Sequence, residues 1–137
     1  MKIIGLDLGS RTLGVAVSDK FEMLASPIEI HRYRDGDYES ALKRVLELTE
    51  EYKSTRIVLG FPKNMNNTIG EKAELSISFK EELEKHNLEV ILWDERLSTK
   101  EVTRMMISAD LSRKKRKGQV DKLAATVILQ GYLDSKR

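Results

Sequence analysis

Acidic side chains at three places in this 137-residue chain have types and positions that suit metal-dependent chemistry. Asp7 interrupts the apolar segment IIGLDL, although Asp is depleted from strands and a buried carboxylate is costly unless it is paired or bound to a cation. Asp94 and Glu95 directly follow the apolar segment LEVILW. Asp121 adjoins the apolar residues of the last predicted helix. If the fold brings these carboxylates together, they form a site for divalent cations.

Each of these carboxylates also has an ordinary structural explanation. Asp7 lies close to a glycine and would suit a turn. Asp94 or Glu95 would suit a polar strand end, paired with Arg96. Asp121 is predicted in the first turn of its helix, where an acid is favourable with the helix dipole. The convergence of all three favours a site, because unpaired acids repel and one or two divalent cations, Mg²⁺ or Mn²⁺, remove that repulsion.

The chemistry that such a site predicts is phosphoryl transfer. Two metal ions about 4 Å apart activate a water on one side of a phosphodiester and stabilise the leaving oxygen on the other. In this arrangement Asp7 bridges the metals, while Asp121 and one acid of the Asp94–Glu95 pair complete the shell. A zinc site is not expected, because the chain has no Cys and only two His, and His31 and His86 are assigned no role.

Positively charged side chains around these acids are the predicted contacts to a nucleic-acid backbone. The run RKKRK at 113–117 has no acid within it, although such a run is also typical of a solvated loop or helix end. Aromatic residues make up 6% of the chain, so a base-stacking platform is not indicated. The predicted phosphate contacts are Arg11, Lys63, Arg96, Arg113, Lys114, Lys115, Arg116 and Lys117.

Hydrophobic periodicity predicts the elements that must position these groups. The order is β-β-β-α-β-α-β-α-α, which predicts an α/β fold with a mixed five-stranded sheet flanked by helices, in a single domain over 1–137. Three leading antiparallel strands begin it, and strands then alternate with helices. The predicted strands are 2–8, 13–18, 24–30, 56–60 and 88–93; the predicted helices are 38–52, 71–85, one starting with the capping box at 98–101, and a last one from Val120 to Gly131.

Small residues are expected to shape the site. Gly5 and Gly9 share the strand face of Asp7, so we expect open space around that carboxylate. Ala124 and Ala125 are small, so the last helix is expected to approach the sheet closely and bring Asp121 to its surface.

The composition sets the remaining expectations. The 40% hydrophobic and 34% charged content is that of a globular chain. No apolar stretch reaches about 18 residues and the N-terminus lacks a signal-peptide pattern, so no membrane contact is predicted. The absence of Cys suits the reducing cytoplasm, which is the predicted location.

Four segments occur in an order that resembles the YqgF/RuvX family, whose members are labelled pre-16S rRNA nucleases or Holliday junction resolvases. The segments are GLDLGSRTLGVAVSD, VLGFPKNMNNTIGE, LWDERLST and DKLAATVILQGYL, and together they span essentially the whole chain. The resemblance implies an RNase H-like fold related to the RuvC-type resolvases. It also implies that Asp7, Glu95 and Asp121 are the catalytic and metal-binding acids, which selects Glu95 over Asp94.

The loop after the fourth predicted strand departs from the family pattern at one position. Asn67 stands where the family usually has Gly, and Asn is among the few other residues that tolerate a positive φ. By the same resemblance, Asn64 in this loop is expected to contact the nucleic acid.

Four functions remain open on this evidence. The first is a metal-dependent nuclease that acts on structured RNA in 5′-end maturation of pre-16S rRNA, in contact with a ribosomal precursor particle. The second is a Holliday junction resolvase, which requires two active sites; the chain shows no obvious dimerisation face, so we expect a monomer or weak homodimer. The third is an ATP-binding domain of the actin/sugar-kinase type, suggested by DLGSRTLG but lacking room for a second lobe. The fourth is a catalytically silent RNA-binding protein.

Overall fold

The computed structural model describes residues 2–61, 71–94 and 113–136, with the side chains of these ranges except 71–72 and 113–122. The predicted helix that starts at the capping box lies outside the described residues. Within those ranges, no helix is long and apolar enough to cross a membrane. The elements are β1 (Ile4–Leu8), β2 (Thr12–Ser18), β3 (Ala25–Arg32), α1 (Tyr38–Glu51), β4 (Arg56–Phe61), α2 (Glu71–Glu84), β5 (Glu89–Asp94) and α3 (Arg113–Ser135).

The five strands form one mixed sheet in the order β3-β2-β1-β4-β5. β1, β2 and β3 are an antiparallel meander, while β4 runs parallel to both β1 and β5. This confirms the predicted sheet. The strand β3, which contains Pro27, lies at one edge of the sheet, where a residue without an amide donor is tolerated. Because β1, β4 and β5 are parallel, their carboxyl ends meet at one edge of the sheet, where open α/β sheets bind ligands.

Strand alternation divides the core between the two faces of the sheet. One face packs against α1 and α2 and includes Ile4, Leu6 and Leu59. The other packs against α3 and includes Ile3 and Val58. The two faces are called here the α1/α2 face and the α3 face.

α3 approaches the sheet closely at Gly5 of β1. A Cβ atom at Gly5 would lie 3.0 Å from the carbonyl oxygen of Ala125 and 2.6 Å from Cβ of Leu129. The predicted close approach of the last helix is therefore observed, with Ala125 fully buried. The expected open space beside Asp7 is wrong on the Gly5 side, because the helix occupies it.

α3 differs from its prediction in two ways. It begins at Arg113 rather than after the basic run, because Arg and Lys are good helix formers and a single Gly118 does not end a helix. Its buried face is also rotated from the predicted stripe of Val120, Leu123, Ala124, Val127, Ile128 and Gly131. The residues buried against the sheet are Ala125, Ile128, Leu129, Tyr132 and Leu133.

Candidate functional site

Asp7 is half-buried near the carboxyl end of β1. Because Ile3 and Gly5 contact α3, alternation puts Asp7 on the α3 face of the sheet. Asp7 therefore lies on the side of the sheet that α3 covers, at the edge where the parallel strands end.

Glycines occupy the neighbouring strand positions at the level of Asp7. Gly14 of β2 is its direct partner in the antiparallel register. On the other side, β1 pairs with β4 up to Leu6 and Leu59, so the next residue of β4 at this level is Gly60. Gly14 and Gly60 share the α3 face by alternation, and neither places a side chain beside the carboxylate.

Asp94 is the last residue of β5 and lies opposite Phe61 of β4. Ile91 and Trp93 pack on the α3 face, whereas Val90 and Leu92 pack on the α1/α2 face. Alternation thus puts Asp94 on the face opposite to Asp7. Glu95 lies outside the described residues.

Asp121 is in the third turn of α3 and not in its first turn, because the helix begins at Arg113. The helix-dipole explanation of this acid is therefore wrong, since that effect is confined to the first turn. The backbone of Asp121 is one turn before Ala125, the residue whose carbonyl contacts Gly5.

The predicted phosphate contacts divide into three groups. Arg11 is exposed in the turn that joins β1 to β2, at the same sheet edge as Asp7. Lys63, Asn64 and Arg96 lie outside the described residues. The run from Arg113 to Lys117 forms the start of α3, and its side chains are outside the description.

Tyr33, which the sequence did not single out, lies beside this edge. Its hydroxyl donates to the carbonyl oxygens of Gly9 and Thr12, the latter at 2.9 Å. Burial, and then the charges of Tyr38 and Asp7, raise the pKa of Tyr33 far above its ordinary value of 10.0. The raised pKa favours the protonated hydroxyl, which is the form that donates a hydrogen bond.

A sequence signal for Tyr33 was present but faint. It is a large aromatic side chain in the polar segment RYRDGD, which the pattern predicts to be a loop. Only the fold shows that this loop crosses the β1–β2 turn.

A family model described as "RuvX: Holliday junction resolvase" matches residues 1–135. The chain belongs to the RuvX family. A relative from Geobacillus sp. (strain WCH70), named as a candidate pre-16S rRNA nuclease, is 55% identical over 138 residues that cover 100% of both chains. These matches confirm the predicted resemblance and the predicted nuclease class.

Solved structures with the same fold include two resolvases. RuvC of T. thermophilus in complex with a Holliday junction substrate matches with a TM-score of 0.62 at 18% identity, over 99% of this chain and 95% of that one. The Holliday junction resolvase of fowlpox virus matches with a TM-score of 0.59 at 18% identity, over 100% of both chains. They confirm the predicted RNase H-like fold of this RuvX-family chain.

The predicted metal ligands of this RuvX-family chain are carboxylates. Membership of a nuclease family implies dependence on a divalent cation. Among the side chains that the structure describes, no group of three or more His, Cys, Asp or Glu residues forms a metal cluster; of the three predicted ligands, this set contains only Asp7. Nε2 of His31 lies within hydrogen-bond distance of Oγ of Ser40, at 3.0 Å.

Proposed function

We propose that this RuvX-family chain is a divalent-metal-dependent nuclease that hydrolyses phosphodiester bonds in 5′-end maturation of the 16S rRNA precursor. The observation that carries the proposal is the position of Asp7. A half-buried carboxylate lies at the carboxyl edge of three parallel strands, on the α3 face, with glycines on both sides. The RNA substrate follows from the name of the relative that is 55% identical over its full length.

We assign Glu95 and Asp121 as the partners of Asp7 on the basis of the family resemblance, and the described backbone around Asp7 and Ala125 supports the assignment. Asp94 is on the α1/α2 face, opposite to the face of Asp7, and is therefore not assigned to the site. Asp7 is two strand residues, about 7 Å, beyond Gly5. Asp121 is four helical residues, about 6 Å, before Ala125. Asp7 and the backbone of Asp121 thus each lie within about 7 Å of the contact between Gly5 and Ala125.

The proposed donor set fits Mg²⁺ or Mn²⁺. Carboxylate oxygens are the ligands of hard divalent cations, and Gly14 and Gly60 leave room beside Asp7 for coordinated water or a phosphate oxygen. A bound cation would activate water and stabilise the leaving oxygen. In this proposal the protein supplies one carboxylate from β1 and one from α3.

Substrate attraction is assigned to the cations around this edge. Arg11 is exposed in the turn directly after β1, and the run Arg113–Lys117 adds five positive charges at the start of α3. Phosphate contacts of this kind hold the backbone without reading sequence, which suits a structured RNA inside a ribosomal precursor particle. We place the activity in the cytoplasm, with the protein acting as a monomer or weak homodimer.

Cleavage of a Holliday junction is the second candidate function. It is favoured by the family description and by the fold shared with a RuvC structure that holds a junction. Symmetric cutting of a four-way junction requires two active sites, so this function predicts a stable dimer on the substrate.

The test is a cleavage assay on both substrates. Wild-type protein and Asp7→Asn are incubated with a labelled precursor fragment that spans the 5′ end of 16S rRNA and with an immobile four-way DNA junction. Each reaction is run with Mg²⁺, with Mn²⁺ and with EDTA. Asp35→Asn is the matched control, because Asp35 is exposed in the loop before α1.

We expect metal-dependent cutting of the RNA that is lost in Asp7→Asn and retained in Asp35→Asn. Cutting of the junction alone would replace the RNA function by the second candidate. If neither substrate is cut but RNA still binds, the chain is a silent RNA-binding protein. Binding of ATP in a parallel titration would instead point to the actin/sugar-kinase type of site.

A further inference from the structure

The segment Tyr33–Gly36 is tied to the turn between β1 and β2. This turn comprises Gly9–Thr12 and directly follows the strand that carries Asp7. Three hydrogen-bond donors of the segment reach four carbonyl oxygens of the turn. They are the Tyr33 amide to Arg11 at 2.9 Å, the Tyr33 hydroxyl to Gly9 and to Thr12, and the Gly36 amide to Ser10 at 2.8 Å.

The Tyr33 hydroxyl has a special place among these donors, because it is the one that joins the two ends of the turn. Gly9 follows β1 directly, whereas Thr12 is the first residue of β2. The Gly9 amide also donates to the Thr12 carbonyl at 2.8 Å, so the same oxygen closes the turn and accepts from Tyr33. Removing the hydroxyl would leave the closing bond of the turn without its side-chain support.

The ring of Tyr33 is held in place by its neighbours. Its centroid is 5.8 Å from that of His31 and 6.4 Å from that of Tyr38, the latter in an edge-on arrangement. The side chain is half-buried. The hydroxyl is therefore a fixed donor and not a mobile surface group.

This fixed donor lies close to the carboxylate of the proposed nuclease site. Asp7 is two residues before Gly9, and its charge contributes to the raised pKa of Tyr33. Arg11, the exposed cation of the same turn, accepts the Tyr33 amide at its own carbonyl. A shift of this turn would therefore move both the proposed metal ligand and a proposed phosphate contact.

We propose that Tyr33 is a positioning residue of the nuclease site: its hydroxyl fixes the Gly9–Thr12 turn and thereby orients the Asp7 carboxylate and Arg11. The role rests on the proposed function for its effect on catalysis. Its effect on metal binding and on the turn itself is independent of which nucleic acid is cut.

The experiment compares Tyr33→Phe with wild-type protein. Phe keeps the ring and its contacts to His31 and Tyr38 but removes the donor. Tyr38→Phe is the matched control, because Tyr38 is a neighbouring half-buried tyrosine whose hydroxyl does not reach the turn in the described contacts. A third protein carries p-aminophenylalanine at position 33, which places an N–H donor where the hydroxyl was.

Four quantities are measured on each protein. They are Mn²⁺ affinity of the free protein by titration calorimetry, kcat and KM on the RNA substrate, amide exchange at Gly9, and the melting temperature. We expect Tyr33→Phe to bind Mn²⁺ at least about threefold more weakly, to lose about tenfold in kcat and to exchange faster at Gly9, because a small misplacement of a ligand is costly. Tyr38→Phe should match wild type, and p-aminophenylalanine should restore most of the loss.

Two results would overturn the positioning role. One is a Tyr33→Phe protein that binds Mn²⁺ and cuts RNA as wild type does. The other is a loss that follows the melting temperature alone and is not restored by p-aminophenylalanine. A Tyr33→Phe protein that fails to fold, with no rescue by p-aminophenylalanine, counts as this second result. If wild type cuts neither substrate but the variant still weakens Mn²⁺ binding and loosens Gly9, the proposed function fails and the positioning role stands.

Discussion

Gly5 of β1 and Leu129 of α3 are packed so closely that a methyl group on Gly5 would lie 2.6 Å from Cβ of Leu129. The two residues are 124 positions apart in the sequence, yet their contact sets the distance between the helix and the sheet edge that carries Asp7. Because the obstacle is a β-carbon fixed to the helix backbone, rotation of a side chain cannot relieve it.

We therefore predict that Gly5→Ala destabilises the protein by about 1–3 kcal/mol through overpacking. The measurement is urea denaturation followed by circular dichroism. Ser26→Ala, at an exposed position of β3, is the control and should change stability by less than about 0.5 kcal/mol. An unchanged midpoint in Gly5→Ala would mean that α3 can move away from the sheet at no cost.

The two adjacent acids Asp94 and Glu95 should differ sharply in function. Asp94 is on the α1/α2 face, so Asp94→Asn should leave cleavage within about threefold of wild type. Glu95→Gln should lower kcat by about 100-fold or more, because even the outer partners of metal ligands cost 10–100-fold when they are removed. Both rates are measured with saturating Mg²⁺ on the same RNA. A large loss in Asp94→Asn with an active Glu95→Gln would reverse the assignment.

The basic run at the start of α3 should control the salt dependence of RNA binding. Replacement of all five residues from Arg113 to Lys117 by Gln should reduce the slope of log K against log[salt] by about 0.7 for each lost single-strand phosphate contact. Fluorescence anisotropy between 50 and about 300 mM KCl gives the slope. A double variant at Lys43 and Lys85, exposed cations away from α3, is the control. An unchanged slope in the five-residue variant would mean that the basic run is a solvated helix end that does not contact phosphates.

The ion pair between β3 and α1 should make stability depend on pH. Nε of Arg44 donates to Glu29 across 2.9 Å, and this bond holds the pKa of Glu29 below its ordinary value of 4.5. A lowered folded pKa contributes stability that is fully present above 4.5 and is lost as pH falls through the folded value. Glu29→Gln should therefore cost about 1 kcal/mol at pH 7 and progressively less below pH 4.5.

Urea unfolding at pH 7, 5, 4 and 3 measures this difference. Glu47→Gln is the control, because Glu47 is 56% exposed and lies 3.7 Å from Arg44. It should shift stability little at any of these pH values. If Glu29→Gln costs the same at pH 3 as at pH 7, the pair acts through packing and not through charge.

The sequence by itself determined the order of the described elements and the presence of an acid, Asp7, within the first strand. The apolar segments IIGLDL and LGVAVS, joined by a short connection, are local signals, and they correctly predicted the antiparallel pair of β1 and β2. The cost of an acid within an apolar strand is also a local property, so Asp7 was recognisable without a fold. The resemblance then distinguished Glu95 from Asp94, and the alternation of β5 independently puts Asp94 on the other face.

Only the tertiary structure decided what depends on contacts between distant residues. Eight of the 11 residues in LAATVILQGYL are hydrophobic, so periodicity alone could not say which stripe of α3 is buried. The contact of Ala125 and Leu129 with Gly5 decided it. The start of α3 at Arg113 removed Asp121 from the first turn, since strong helix formers extend a helix beyond its buried part. The role of Tyr33 could be recognised only from the fold, in which its loop lies beside Gly9 and Thr12. A hydrogen bond between residues more than 20 positions apart produces no periodic pattern in the sequence.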